Sequence, residues 1–157
     1  MIRITYLQTT KNLLKDLNTI GCTEEEIQEL EKKLNVFLPE SYKEFLLWMG
    51  KDSGGFLRGS DFLYPKIIDI QDWSWELIEE AYPEDERHEW YCFTFLMHQG
   101  YTFWCFSLLS PDNTDPIVCQ YTEGEDPMSE SLGIPFSQWL AEEAKLHLFL
   151  NDNLLEV

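Results

Sequence analysis

The spacing of apolar residues in the first half of the chain predicts three amphipathic helices. Residues that recur at i, i+3, i+4 and i+7 lie on one face of a helix and can pack together against a core. Thr23 and Glu26 have the spacing of a reciprocal capping box at the start of the second helix. Pro39 suits the first turn of the third helix, while Gly21 and Gly50 end the first and the third. The three apolar stripes are formed by Leu13, Leu14, Leu17 and Ile20, by Ile27, Leu30 and Leu34, and by Tyr42, Phe45, Leu46 and Met49.

The second half of the chain changes to the pattern of β-strands. Residues 92–98 and 101–106 are rich in aromatic side chains and are separated by Gln99 and Gly100, which favour a tight hairpin turn. Both faces of this hairpin are largely apolar, so we expect it inside a sheet that is covered on both sides. The predicted pairs are Phe95 with Trp104 and Phe93 with Phe106 on one face, and Leu96 with Phe103 and Thr94 with Cys105 on the other.

The remaining elements complete an α+β order. Residues 62–64 predict a short strand, residues 69–82 a helix that Pro83 ends, and residues 116–121 a third strand. An acidic loop then leads to a final helix. Helices first, then an antiparallel sheet and a closing helix predict one α+β domain over residues 1–157. The inner face of the final helix is formed by Phe136, Trp139, Leu140, Ala144 and His147.

The composition excludes a disordered chain and disfavours two classes of partner. Hydrophobic residues make up 44% of the 157 positions and aromatic residues 15%, which is enough to build a core despite a net charge of −18. That charge repels the phosphates of nucleic acids and the head groups of anionic membranes. No run approaches the roughly 18 apolar residues of a membrane helix, and the first residues lack the pattern of a signal peptide. We therefore expect a cytoplasmic protein.

The order of these parts resembles the SUKH superfamily, which includes yeast cell-wall-synthesis regulators and many bacterial immunity proteins. The resemblance begins with residues 23–34 and continues through the Leu-Pro-Glu-Ser-Tyr-Lys-Glu-Phe-Leu motif of residues 38–46 and Gly50. Later matches are the aromatic strand at residues 100–104, the Pro-Ile-Val strand at 116–118 and the Phe/Trp helix at 136–140. Together they cover roughly residues 23–150.

The resemblance implies a binding protein with no catalytic residue and no cofactor. Bacterial members of the superfamily typically neutralise a toxin, often a nuclease, whereas eukaryotic members act as scaffolds in signalling. Two functions follow as hypotheses: an immunity protein that inhibits a cognate toxin, and a non-catalytic adaptor in the cell's own regulation.

The negative charge is concentrated in one half of the chain. Residues 1–78 contain 9 basic and 13 acidic residues, whereas residues 79–157 contain 2 and 16. This asymmetry favours an acidic surface that attracts a basic toxin, although charged runs are often only solvated faces. The candidate partner-binding residues form two groups, Glu76, Glu79, Glu80, Glu84, Asp85 and Glu86 around Pro83, and Glu123, Glu125 and Asp126 in the acidic loop.

Trp73 and Trp75 stand beside the first acidic group and are included in the candidate site. Two positions apart in a helix, they cannot share a face. We expect at least one to be partly exposed, as an aromatic anchor for a partner, and core packing to be the role of one of them.

An enzymatic function has weak support. Cys92 with His88 or His98 is the best nucleophile and base, but no local motif accompanies them. The four cysteines lack metal-ligand spacing, and in a reducing compartment we expect buried free thiols in preference to disulfides or a metal site.

Overall fold

The computed structural model describes residues 5–89, 91–110, 112–125 and 129–155. The fold is α+β, as predicted: four α-helices precede strands β2 to β5 along the chain, and one α-helix follows them. Among the described residues, no helix combines the length and the apolarity needed to cross a bilayer. The helices are α1 (Gln8–Leu13), α2 (Glu24–Leu34), α3 (Glu40–Met49), α4 (Lys66–Ala81) and α5 (Phe136–Leu155), with a 3₁₀ helix at Glu84–Glu89. The strands are β1 (Ser60–Asp61), β2 (Cys92–His98), β3 (Thr102–Ser107), β4 (Ile117–Thr122) and β5 (Ser129–Pro135).

The capping box predicted for the second helix is confirmed. The Thr23 hydroxyl accepts a hydrogen bond from the Glu26 backbone N–H at 3.1 Å, and the Glu26 carboxylate accepts one from the Thr23 N–H at 2.9 Å. Lys51 adds an ion pair to the same carboxylate at 3.0 Å. These backbone and side-chain hydrogen bonds, in that order, lower the pKa of Glu26. The start of α2 is therefore determined by local interactions.

The five strands form an antiparallel meander in the order β1-β2-β3-β4-β5. The predicted turn at Gln99 and Gly100 is confirmed, since both residues have positive φ and the Tyr101 N–H donates to the His98 carbonyl at 3.3 Å. A β-bulge lies between Thr94 and Leu96, and the predicted pairing is correct only on the side of the bulge away from the turn. Phe93 with Phe106 and Thr94 with Cys105 are confirmed, whereas Leu96 pairs with Trp104 and Met97 with Phe103. The extra residue at the bulge shifts the register near the turn, so the pairs Phe95 with Trp104 and Leu96 with Phe103 were wrong.

The sheet is covered on both faces, as the apolar hairpin predicted. On one face, Phe95 packs against Phe136 and Trp139 of α5 with ring centroids 5.0 and 5.1 Å apart. On the other face, the Thr94 hydroxyl donates to Ser74 of α4 at 2.8 Å. Helix α4 therefore forms one outer layer, and α3 and α5 form the other.

Three predicted elements differ from the structure. The first helix, α1, ends at Leu13, so Leu17 and Ile20 lie beyond it; Ile20 is 57% exposed and pairs with Asp52 through its backbone. The short early strand is Ser60–Asp61, which pairs with the end of β2, and residues 62–64 follow it. Strand β5 was missed because its exposed Ser and Glu residues conceal the half-buried Leu132 and Ile134.

Tyr42 tests how the core tolerates a polar group. Its side chain is fully buried, and its hydroxyl has no hydrogen-bond partner among the described residues. We expect Tyr42→Phe to change the free energy of unfolding by less than about 1 kcal/mol, because it removes an unpaired group and keeps the ring. Tyr42→Ala should lose about 3–5 kcal/mol through the cavity it leaves. Urea unfolding measures both, and a larger loss for Tyr42→Phe would contradict this account.

Candidate protein-binding surface

Helix α4 has a buried face and an acidic face. Ile67, Ile70, Ser74 and Ile78 are its buried residues, and they face the sheet. At 100° per residue, Trp73 and Trp75 lie about 160° apart around the helix, at the two borders of the exposed face. Between them on that face lie Asp69, Asp72, Glu76, Glu79 and Glu80, all of them exposed.

Both tryptophans are partly exposed, Trp73 by 39% and Trp75 by 41%. The expectation that one would pack in the core was wrong, since the core side of α4 is filled by smaller isoleucine and serine side chains. The Lys66 ammonium lies 5.4 Å from the centre of the Trp73 ring and 4.0 Å from the Asp61 carboxylate. Trp73 therefore already offers its face to a cation.

Gln71 fastens α4 to the sheet. Its side-chain amide donates to the Thr94 carbonyl at 2.6 Å and accepts from the Thr94 N–H at 3.0 Å. It also donates to the Ile67 carbonyl of its own helix at 2.9 Å. The Gln71 side chain thus forms the two backbone hydrogen bonds with Thr94 that a neighbouring strand would otherwise form. Thr94 lies next to the bulge in β2. These bonds set the position of α4, and with it the direction of its acidic face.

The first acidic group continues from α4 onto the 3₁₀ helix, where Glu84, Asp85 and Glu86 are exposed. Arg87 folds this segment back on the helix. Its guanidinium donates to the carbonyls of Tyr82 and Glu79, each at 2.9 Å. A cation suits the carbonyl end of a helix.

The second acidic group adjoins the first. Glu123 and Glu125 are exposed in the turn between β4 and β5, whereas Asp126 lies outside the described residues. The Tyr121 hydroxyl donates to the Leu77 carbonyl at 3.3 Å, which joins β4 to α4. Burial raises the pKa of Tyr121, and Tyr82, Glu123 and Glu80 raise it further. Glu80 of the first group and Glu123 of the second therefore both lie near enough to Tyr121 to act on its phenol electrostatically.

The lysine–carboxylate ion pairs lie in the first half of the chain. Among the described side chains, four lysines form ion pairs with carboxylates, and all of these pairs lie within residues 11–66. Residues 79–157 hold 2 basic residues against 16 acidic ones, too few to neutralise them. The structure therefore presents an acidic surface on α4 and the 3₁₀ helix, with an exposed tryptophan at each border of α4 and with Glu123 of the second group nearby.

Of the two pairs considered from the sequence, Cys92 and His98 are not brought together. Cys92 and His98 lie at opposite ends of β2, and six residues of a strand span about 20 Å. The His98 Nδ1 atom is 3.1 Å from the Ser60 hydroxyl instead. The side chain of His88 lies outside the described residues. Within the described part of the chain, no group of three or more His, Cys, Asp or Glu side chains is arranged to hold a metal ion.

Residues 21–142 match the SMI1 / KNR4 family (SUKH-1), and they form most of the 157-residue chain. The chain belongs to this family. The match begins just before the capped helix α2 and ends within α5, so it includes the whole sheet and α4. Among the curated proteins, none matches this SUKH-1 chain. The sequence resemblance, which rested on the helical motif and three later segments, is confirmed.

Sequence reasoning missed an exposed apolar group outside the acidic surface. Phe37 is 85% exposed, Leu109 60% and Tyr91 48%. Phe37 and Tyr91 line a cavity of about 350 Å³ between the α2–α3 connection and the end of β3. The signal available in the sequence was that Phe37 lies between the apolar stripes of the second and third helices and belongs to neither. In the structure it follows Asn35, which ends α2 in the left-handed conformation.

The role of Gln71 predicts a measurable loss of stability. In Gln71→Ala, the Thr94 N–H and carbonyl lose their partners in a partly buried position, so we expect about 2 kcal/mol of destabilisation. Gln138→Ala is the matched control, because the Gln138 amide makes only an exposed 3.4 Å contact with Glu142. It should cost less than about 0.5 kcal/mol. Urea unfolding of both variants provides the comparison, and equal losses would contradict an anchoring role for Gln71.

Proposed function

We propose that this SUKH-1 protein acts as a single-domain bacterial immunity protein in the cytoplasm. It binds a cognate toxin domain with a basic surface and blocks it without catalysis. The observation that carries the proposal is the acidic face of α4 and the 3₁₀ helix, with Trp73 and Trp75 at the borders of α4, both about 40% exposed. Membership of the family is consistent with toxin immunity and with regulatory roles, and the acidic surface favours a basic partner.

The mechanism is steric and electrostatic. A nuclease toxin binds its substrate through cationic residues, so an acidic inhibitor is attracted to the same residues and can cover them. Carboxylates at the rim accelerate encounter, whereas the tryptophans supply apolar contact area once water is expelled. The hydrogen bonds of Gln71 and Arg87 hold the helix and the 3₁₀ segment before the partner arrives. A surface that is already ordered loses less conformational entropy on binding.

Co-expression tests the proposal directly. The toxin domain encoded by the adjacent gene is expressed in a sensitive host, with and without this protein, and survival and complex formation are measured. We expect protection and a stable complex. If the protein neither binds nor protects, and instead isolates with a partner from the host's own regulatory machinery, the immunity proposal is wrong.

The tryptophans should dominate the affinity. Replacing both Trp73 and Trp75 by alanine should raise the dissociation constant at least about 30-fold, equivalent to about 2 kcal/mol. Phe149→Ala is the control, because Phe149 is 62% exposed on α5, on the opposite side of the sheet. It should leave the affinity unchanged. Calorimetry with the purified toxin domain measures each dissociation constant. Equal effects of the double tryptophan variant and of Phe149→Ala would contradict the proposed surface.

The carboxylates should control the rate of association. Changing Glu76, Glu79 and Glu80 to glutamine should slow association about tenfold at low salt, because steering is lost. The same change at Glu24, Glu25 and Glu29, exposed residues of α2, should have a much smaller effect. The wild-type rate should fall as ionic strength rises. Stopped-flow fluorescence measures these rates, and a salt-independent rate for the wild type would contradict steering.

A further inference from the structure

A cavity of about 540 Å³ lies between helix α5 and the loop that joins α3 to β1. Its volume is within the range of small-molecule sites, which combine an apolar wall with a few polar groups. None of the residues that line it belongs to α4 or to the 3₁₀ helix, so it is separate from the acidic surface. The apolar part of its wall is formed by Leu17, Phe56, Leu57, Leu146 and Leu150.

Side-chain contacts join the two walls of this cavity. The buried Phe56 ring of the loop meets the His147 ring of α5 edge to face, with centroids 5.7 Å apart. The Asn151 amide lies 3.1 Å from the His147 Nε2 atom, and the Ser53 hydroxyl donates to the Phe56 carbonyl at 2.7 Å. The cavity is therefore formed before a ligand arrives, which reduces the conformational entropy lost on binding.

The loop side of the cavity has an unusual backbone. Leu57 has a φ of 59°, a left-handed conformation that a leucine rarely adopts. Strain of this kind is found most often at ligand sites and active sites. At Gly55, with a φ of 100°, an added Cβ would meet no atom within 4 Å. The loop thus leaves the space beside Gly55 open.

Two side chains of opposite charge line the cavity, Arg58 from the loop and Glu143 from α5. Within the described part of the chain, neither forms an ion pair with another side chain, and they are not paired with each other. Glu143 is half-buried, and burial, followed by the neighbouring Glu142, raises the pKa of its carboxyl group. A cation beside the Glu143 carboxylate would have the opposite effect. The cavity therefore offers both a guanidinium and a carboxylate to a ligand.

We propose that this cavity is a binding site for a free α-amino acid with an apolar side chain. The ligand carboxylate pairs with the Arg58 guanidinium, which can form two parallel hydrogen bonds with it. The ligand ammonium pairs with Glu143, and the ligand side chain packs among the leucines of the wall. A fatty acid would leave Glu143 without a cation, and a simple amine would leave Arg58 without an anion. The proposal does not rest on the proposed function, because it involves no residue of the acidic surface.

Amide NMR spectra of the isotope-labelled full-length protein test the site with L-leucine and L-phenylalanine as probes. We expect saturable shifts at Gly55, Arg58 and His147, and none at Glu76 of α4. N-acetyl-L-leucine lacks the ammonium, L-leucinamide lacks the carboxylate, and glycine lacks the apolar side chain. Each should bind at least about tenfold more weakly than L-leucine. No saturable shift with either probe, or an equal affinity for N-acetyl-L-leucine, would overturn the proposal.

Two substitutions assign the charged groups. Glu143→Gln and Arg58→Gln should each weaken L-leucine binding at least about tenfold. Glu143→Gln should also remove the preference for L-leucine over N-acetyl-L-leucine, and Arg58→Gln the preference over L-leucinamide. Glu142→Gln and Lys33→Gln change exposed residues that do not line the cavity, and they should bind as the wild type does. The spectra of the free variants verify folding. Unchanged affinity in Glu143→Gln or in Arg58→Gln would contradict the assignment.

Discussion

The packing of Tyr42 against the sheet is the interaction on which the remaining structure depends. Its ring lies 5.1 Å from Phe93 and 5.5 Å from both Phe106 and Phe136. These contacts join α3, two central strands and the start of α5 in one aromatic cluster. Edge and tilted arrangements of this kind stabilise beyond the area they bury. One edge strand, β1, has only two residues, so the covered centre contributes more than that edge to holding the sheet in place.

The centre of the sheet is the surface on which the acidic helix α4 packs. Helix α4 rests on the face opposite the aromatic cluster and uses only small and branched side chains to do so. Its charged face and two tryptophans are therefore free to point outward. The like charges on this surface repel one another, but Gln71 and Arg87 hold the segment through backbone groups, which do not depend on charge pairing.

Local interactions account for the parts that the sequence predicted well. The Thr23 capping box and the Gly100 turn depend on residues within a few positions of each other, so their spacing is sufficient. The register predicted near the turn was wrong because of the bulge between Thr94 and Leu96, which lies beside the hydrogen bonds from Gln71, 23 residues away from Thr94. The exposure of both tryptophans was also beyond prediction. Helical periodicity places the two tryptophans on opposite sides of α4. Whether the sheet buries either of them depends on how much of the helix circumference packs against the sheet, which periodicity does not give.

The sequence by itself determined the α+β class, the family, the acidic half of the chain and the identity of the candidate surface residues. Each follows from composition or from short-range spacing, which any fold must respect. The tertiary structure alone decided that Glu80 and Glu123, one from each acidic group, both lie near Tyr121 and that Cys105 of β3 faces Cys119 of β4. Both depend on strand order and register, which are set by packing between residues far apart in the chain. A single sequence carries no local signal for such contacts.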